Sequence, residues 1–245
     1  MKRRILFNLA LVLGCAPGAL LAAGGRQLRV VTTNLPPLVI EGGGKNPGAL
    51  HELLTELCKR MQLAPQVEFV PWKRALFLST TMPATAIFPL TRLPERDDKF
   101  RWLAPMYEER YLFLARRGGK FDIRHPEAMK SSRIATLRGA AQALMLQDLG
   151  YHNLVEASSV DEIHRFLLEG MTDAAFGEKF IIQSSLKARG GEKDFHVSQP
   201  VRSTTAWLAG SLDFNESTAQ QFQRAKAAMD ADGTSQRILA KYGLG

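Results

Sequence analysis

The feature that most narrows the possible folds is an alternation, twice repeated, of short apolar runs and amphipathic segments. Leu28–Val31 reads as a strand. Leu50, Leu53, Leu54, Leu57 and Met61 then fall on one face of a helix over Ala49–Leu63, with Glu52, Glu56, Lys59 and Arg60 mainly on the other. Gln66–Val70 alternates as a strand, Pro71-Trp72-Lys73-Arg74 opens a short helix, and Ala86-Ile87-Phe88 ends a buried strand. Strand, helix, strand, helix, strand in that order predicts an α/β unit with crossover helices.

The alternation breaks and then starts again. Tyr111–Ala115 is a strand that runs into Arg116-Arg117-Gly118-Gly119, a linker composition, and the first lobe is placed over 24–114. Strands at Arg133–Leu137, Leu154–Glu156 and Asp173–Phe176 follow, separated by helices from Gln142 to about Leu149 and from the Ser159/Glu162 capping box to Glu169. Glu178 opens another helix, Phe195–Val197 and Pro200–Ser203 lead out, and the second lobe is placed over 115–203. Thr204–Ala209 is a strand, Asn215 caps a helix to about Ala231, Gly233 breaks it, and Thr234 caps the last helix. If residues 204–245 return to the first lobe, two strands cross between lobes as a hinge suited to closing on a ligand.

Targeting and charge exclude several classes. Met1–Ala23 carries Lys2, Arg3 and Arg4, the apolar run Ile5–Leu13 and small residues at Ala22 and Ala23, the pattern of an export signal. Its removal takes three positive charges from the net +8 of the 245-residue chain, leaving +5. Val12-Leu13-Gly14-Cys15 resembles a lipoprotein cleavage box, so lipidation at Cys15 is the alternative to simple release into the periplasm. Cys58 then has no internal disulfide partner and reads as a buried thiol. No basic run is interleaved with aromatics, which argues against nucleic acid. His51, His125, His152, His164 and His196 have no metal-ligand spacing, no Gly-x-Ser-x-Gly elbow is present, and Gly42-Gly43-Gly44-Lys45 lacks the spacing of a phosphate loop. No metal and no cofactor is expected.

The candidate site centres on Thr91–Trp102, where Arg92 and Arg96 follow the end of a strand. Open α/β sheets bind ligands at such ends, and a guanidinium fork matches a carboxylate. Trp72, at the mouth of a helix after a strand, is either core or a pocket wall.

Several segments, in order, resemble one family: Leu54–Gln62 (LTELCKRMQ), Arg96–Pro105 (RDDKFRWLAP), Leu137–Gln142 (LRGAAQ), Ala174–Glu178 (AAFGE), and Asp232-Gly233-Thr234 through Lys241-Tyr242-Gly243. The chain is similar to bacterial periplasmic solute-binding proteins of the polar amino-acid uptake class, which share the two-lobed type II periplasmic-binding fold. That resemblance implies an α/β chain whose lobes are each a mainly parallel sheet flanked by helices, with a two-strand hinge. It implies a monomer that captures an amino-acid-like solute and delivers it to an ABC permease. By resemblance, Arg96 pairs with the ligand carboxylate, Thr91 offers a hydroxyl, Glu178 takes the ligand ammonium, and Gly139, Ala140, Ala141 and Gln142 present backbone N–H groups. The chain departs from the family at Leu93, where threonine is usual, at Ala140 and Ala141, where hydroxyl residues are usual, and at Glu178, where aspartate is usual. Arg92 is an additional carboxylate candidate. The alternatives are a ligand-presenting accessory of a membrane sensor and an enzyme resembling the cyclohexadienyl dehydratases, with Glu178 as its general acid.

Overall fold

The computed structural model describes residues 26–244. The export signal and the cleavage box at Cys15 lie outside the described residues. In chain order the first elements are β1 (Arg26–Thr32), α1 (Ala49–Arg60), β2 (Leu63–Phe69), α2 (Trp72–Thr81), β3 (Thr85–Thr91), a 3-10 turn at Pro94–Arg96, and β4 (Arg101–Arg116). Then come β5 (Ile134–Leu137), α3 (Gln142–Asp148), β6 (Leu154–Ala157), α4 (Val160–Leu168), β7 (Ala174–Glu178) and α5 (Lys179–Arg189). The described chain closes with β8 (Phe195–Val197), β9 (Arg202–Gly210), α6 (Glu216–Ala231) and α7 (Thr234–Lys241).

The strands join in one sheet ordered β2-β1-β3-β9-β4-β7-β5-β6, with β8 also on β4. Its flanks are parallel: β1 pairs with β2 and β3, and β5 pairs with β6 and β7. Every pairing made by β4 or β9 is antiparallel. Two α/β units are thus fused through a pair of antiparallel strands.

Each unit has its own core. On the first, Leu50, Leu53, Leu54, Leu57 and Cys58 of α1 are fully buried, and Phe222, Met229 and Ile238 of α6 and α7 pack into the same cluster. Burial pushes the Cys58 thiol up to about 12, which keeps it protonated and unreactive. On the second, Phe113, Phe121, Ile134, Met145 and Phe176 form the centre.

Local chemistry explains most boundaries and three corrections. The Asn215 side chain accepts the Thr218 N–H at 2.8 Å and starts α6 as the sequence predicts. Ser159 accepts from the Glu162 N–H at 3.1 Å, but the Glu162 carboxylate turns to the Ser158 N–H and hydroxyl instead of closing a reciprocal box. Thr234 is not a cap: α7 follows Gly233, at φ 74°, and the Thr234 hydroxyl accepts from Arg60 and Arg237. The largest correction concerns β4, which spans 16 residues where the sequence predicts a strand only over Tyr111–Ala115. Pro105 hides its first half. It has no N–H to donate, and shifts in register against β9 beside Trp102 and Pro105 absorb the mismatch.

Candidate functional site

The carboxyl ends of the parallel strands from both units meet beside β4. β3 ends at Thr91, β5 at Leu137 and β7 at Glu178, and all three residues line one small crevice. Open α/β sheets generally place ligands outside these ends, where strand order reverses. The crevice holds about 40 Å³, little more than the share of one water molecule in the liquid. Leu35, Trp72, Leu137 and Ile181 connect its lining with that of an outer cavity of about 550 Å³. The two units are in contact: Leu35 and Trp72 pack in one cluster with Leu137, Ala140 and Ile181.

Of the nine candidate residues, Trp72, Thr91, Ala140, Ala141, Gln142 and Glu178 line the crevice. Arg96 adjoins it. The 3-10 turn beginning at Pro94 folds the chain back, and the buried guanidinium donates to the Thr91 carbonyl at 3.0 Å. Its other nitrogen makes a long contact, 3.5 Å, to the Gly139 carbonyl of the facing unit. Burial lowers the Arg96 pKa, opposed by the nearby Tyr111, Glu109 and Glu95; an arginine nevertheless remains cationic. Gly139 has φ 73°, and a Cβ there would meet Leu76 and Lys73 of α2 at 3.7–3.9 Å. The left-handed backbone is what calls for glycine at this approach.

Arg92 goes elsewhere. It pairs with Asp97 at 2.9 Å and lies over the Trp102 and Trp207 rings at 5.2 and 5.3 Å, outside the crevice lining. Trp72, which the sequence leaves as either core or wall, is 8% exposed and forms part of the wall. The Gly139–Gln142 turn leads into α3, whose first turn has no side-chain cap. The Ala140 N–H is already used within the turn, donating to Leu137 at 3.1 Å.

Glu178 is buried and heavily engaged. As the N-cap of α5, its Oε2 accepts the Phe180 and Ile181 N–H groups at 2.8 and 3.0 Å, and its Oε1 accepts the Tyr107 hydroxyl at 3.0 Å. Burial raises its pKa while these donors oppose the rise. A carboxylate has about four lone-pair positions, so room for one further donor remains.

Sequence reasoning missed Glu109 and Tyr111 as site residues. On β4, Tyr107, Glu109 and Tyr111 are buried while Glu108 and Arg110 between them are exposed, the period of two that puts alternate residues on one face. Tyr111 meets the Thr91 hydroxyl at 3.1 Å. Burial lifts the Glu109 carboxyl to about 7; the Thr91 and Tyr111 hydroxyls and the Arg96 charge pull it down, and Glu178 pushes it further up. The available signal was the alternation in Tyr107-Glu108-Glu109-Arg110-Tyr111, where an acidic residue falls on the aromatic face.

Three polar atoms on the crevice-lining residues have no hydrogen-bond partner: Trp72 Nε1, Glu109 Oε2 and Gln142 Oε1. Buried polar groups are nearly always paired, so three unpaired atoms on the lining of one crevice are unusual. No cluster of metal-ligating side chains occurs among the described residues.

Comparison with curated proteins returned no match. Among solved structures the fold is common. A histidine kinase sensor domain with similarity to periplasmic binding proteins superposes with a TM-score of 0.80 at 16% identity, covering 90% of this chain and 97% of that one. An ancestral arginine-binding protein bound to arginine gives 0.76 at 16% identity, covering 89% and 98%. A substrate-binding protein of an ABC uptake transporter from Streptococcus pneumoniae with bound histidine gives 0.77 at 13% identity, covering 90% and 94%. At the level of sequence, the family model of the bacterial extracellular solute-binding proteins, family 3, matches residues 28–245. With a two-unit α/β architecture and a crevice between the strand ends that includes two buried carboxylates, the chain belongs to the bacterial extracellular solute-binding proteins, family 3.

Proposed function

We propose that this protein captures a small solute bearing a carboxylate and an ammonium group, an amino acid or close derivative, between its two lobes and delivers it to an ABC permease. The observation that carries this reading is a division of charge: a buried carboxylate, Glu178, lining the crevice from the second lobe, and a buried guanidinium, Arg96, bonded to the crevice-lining Thr91 on the first. Arg96 pairs with the solute carboxylate, a reading supported by its 3.5 Å contact with the Gly139 carbonyl of the opposite wall. Thr91 and the Gly139–Gln142 turn complete the polar rim, and Glu178 supplies its remaining lone pair to the ammonium.

A zwitterion held this way contacts both lobes, so binding and closure are one event. We place the hinge where β4 and β9 cross between the lobes, close to the Tyr111–Arg202 pair, beyond which β4 pairs with β7 of the second unit. The inner gap, about 40 Å³, is too small for an amino acid, so uptake requires the lobes to part along this hinge. The outer cavity then accommodates the solute side chain against Trp72.

Solved relatives in fold include proteins bound to arginine and to histidine, which agrees with an amino-acid ligand. The likeness to a histidine kinase sensor domain favours a second reading, in which the loaded protein is presented to a membrane receptor. Calorimetry with a panel of L-amino acids tests the ligand class: at least one is expected to bind in the micromolar range or tighter, and no heat with any of them sinks the reading. Capture of the loaded protein by solubilised inner membranes separates permease from receptor.

A further inference from the structure

We propose that Glu109 is a ligand-binding residue whose free Oε2 accepts a hydrogen from the solute's ammonium group, so that solute and proton compete for one buried carboxylate. This inference rests on the solute-binding reading and identifies which group in the site recognises the amine.

The geometry comes first. Glu109 is 4% exposed, lines the crevice, and leaves Oε2 without a partner. A buried carboxylate oxygen with no donor is a costly arrangement, and binding a donor there recovers that cost. Its neighbours are accounted for from each side. From the 3-10 turn comes Arg96; from β7, Glu178; from β3, the Thr91 hydroxyl; and from β4 itself, the Tyr111 and Tyr107 hydroxyls. None of these places a donor on Oε2. The local charges are one guanidinium against two carboxylates, so with the solute carboxylate on Arg96 its ammonium is left facing the two glutamates. A primary ammonium carries three N–H donors, enough to reach Glu178 Oε1 and Glu109 Oε2 together. The Trp72 indole N–H and the Gln142 side-chain oxygen remain for the rest of the solute.

The sign of the proton linkage follows. Without solute, burial keeps the Glu109 carboxyl half protonated at about pH 7. An ammonium at Oε2 favours the charged form and drives the proton off. The solute ammonium and Arg96 keep their charge across pH 5–8, so affinity falls as pH drops below about 7 and levels off above it, by up to about tenfold per pH unit. Des-amino analogues of the same solute lack the donor and lack this dependence.

The experiment is calorimetry of the full mature protein with the L-amino-acid panel at pH 6, 7 and 8, each in two buffers of different ionisation enthalpy. Wild type is expected to release about half a proton per bound solute at pH 7 and nearly one at pH 6. Glu109→Gln is expected to release none and to bind about 10- to 100-fold more weakly at pH 8, the range for loss of a charged hydrogen bond. If that variant misfolds, Glu178→Gln, which retains the Glu109 carboxyl, is expected to keep the proton release, and its loss there overturns the assignment to Glu109. Binding without proton release, or a Glu109→Gln protein that keeps both affinity and pH slope, overturns the inference while leaving the solute reading intact. No binding to any member of the panel overturns both.

Discussion

Glu109 in the middle of β4 and Glu178 at the end of β7 are both buried, on paired strands, beside the same crevice. Their surroundings differ. Glu178 holds three donors, two of them the opening N–H groups of α5, whereas Glu109 leaves an oxygen unpaired and carries a pKa of about 7. A contrast also exists between Arg96, buried and bonded to the crevice-lining Thr91, and Arg92, which lies over two tryptophan rings outside the crevice. Of the two carboxylates, Glu178 is largely engaged in starting α5 and holding Tyr107, while Glu109 keeps one oxygen without a donor. Residue type is the same within a pair; the carboxylates differ in how many donors they already hold, and the arginines differ in burial, Arg96 lying against the facing unit and Arg92 in an exposed ion pair.

The strongest way to break this comparison is Arg96→Ala. Removing the inward arginine is expected to cost about 3–5 kcal/mol of solute binding, the scale for stranding a buried charge, or roughly a hundred- to several-thousand-fold in calorimetric affinity. Unchanged affinity would end the assignment of the carboxylate to this residue. Next in size is the pH dependence of the empty protein. Because burial raises the Glu109 pKa, the folded state holds that proton more tightly than the unfolded chain. The associated stabilisation is present below the ordinary carboxylate range and is lost as pH rises to about 7. The loss is about 3 kcal/mol at most. Denaturant titrations from pH 4 to 8 are expected to show it as a difference between wild type and Glu109→Gln, the variant being favoured at pH 8; parallel curves would show that Glu109 is not buried uncharged.

Glu178→Ala sharpens the contrast from the other side. It removes the cap of α5 and leaves the Tyr107 hydroxyl without its acceptor, so it is expected to destabilise the protein by about 2 kcal/mol without ligand. Glu178 becomes a ligand group alone if the melting temperature of the empty variant does not move. The smallest effect belongs to Arg92→Ala, whose ion pair is exposed: under about 1 kcal/mol in stability and less than about threefold in affinity. A larger loss of binding would return Arg92 to the site.

How much was legible in the sequence follows the range of the interactions. The spacing of Leu50, Leu53, Leu54 and Leu57 marked the buried face of α1, and Asn215 marked the start of α6, because both depend on neighbours within a turn or two. Glu178 was visible through the resemblance of Ala174–Glu178 to the family's strand end that carries an acidic ligand contact. Glu109 was not, because Tyr107–Tyr111 contains three charged residues and follows a proline that disguises the strand; only pairing with β9 and β7 shows which side faces inward.

The sequence by itself determined the alternating α/β order, the buried faces of the helices and the membership in a solute-binding family, since those rest on periodicity and short-range patterns that survive without coordinates. The tertiary structure alone decided which arginine turns inward, that Trp72 is a wall, and that Glu109 keeps an unpaired oxygen in the crevice. These depend on whether groups distant in the chain meet, and a hydrogen bond left unmade can be recognised only when every neighbour that failed to make it is in place.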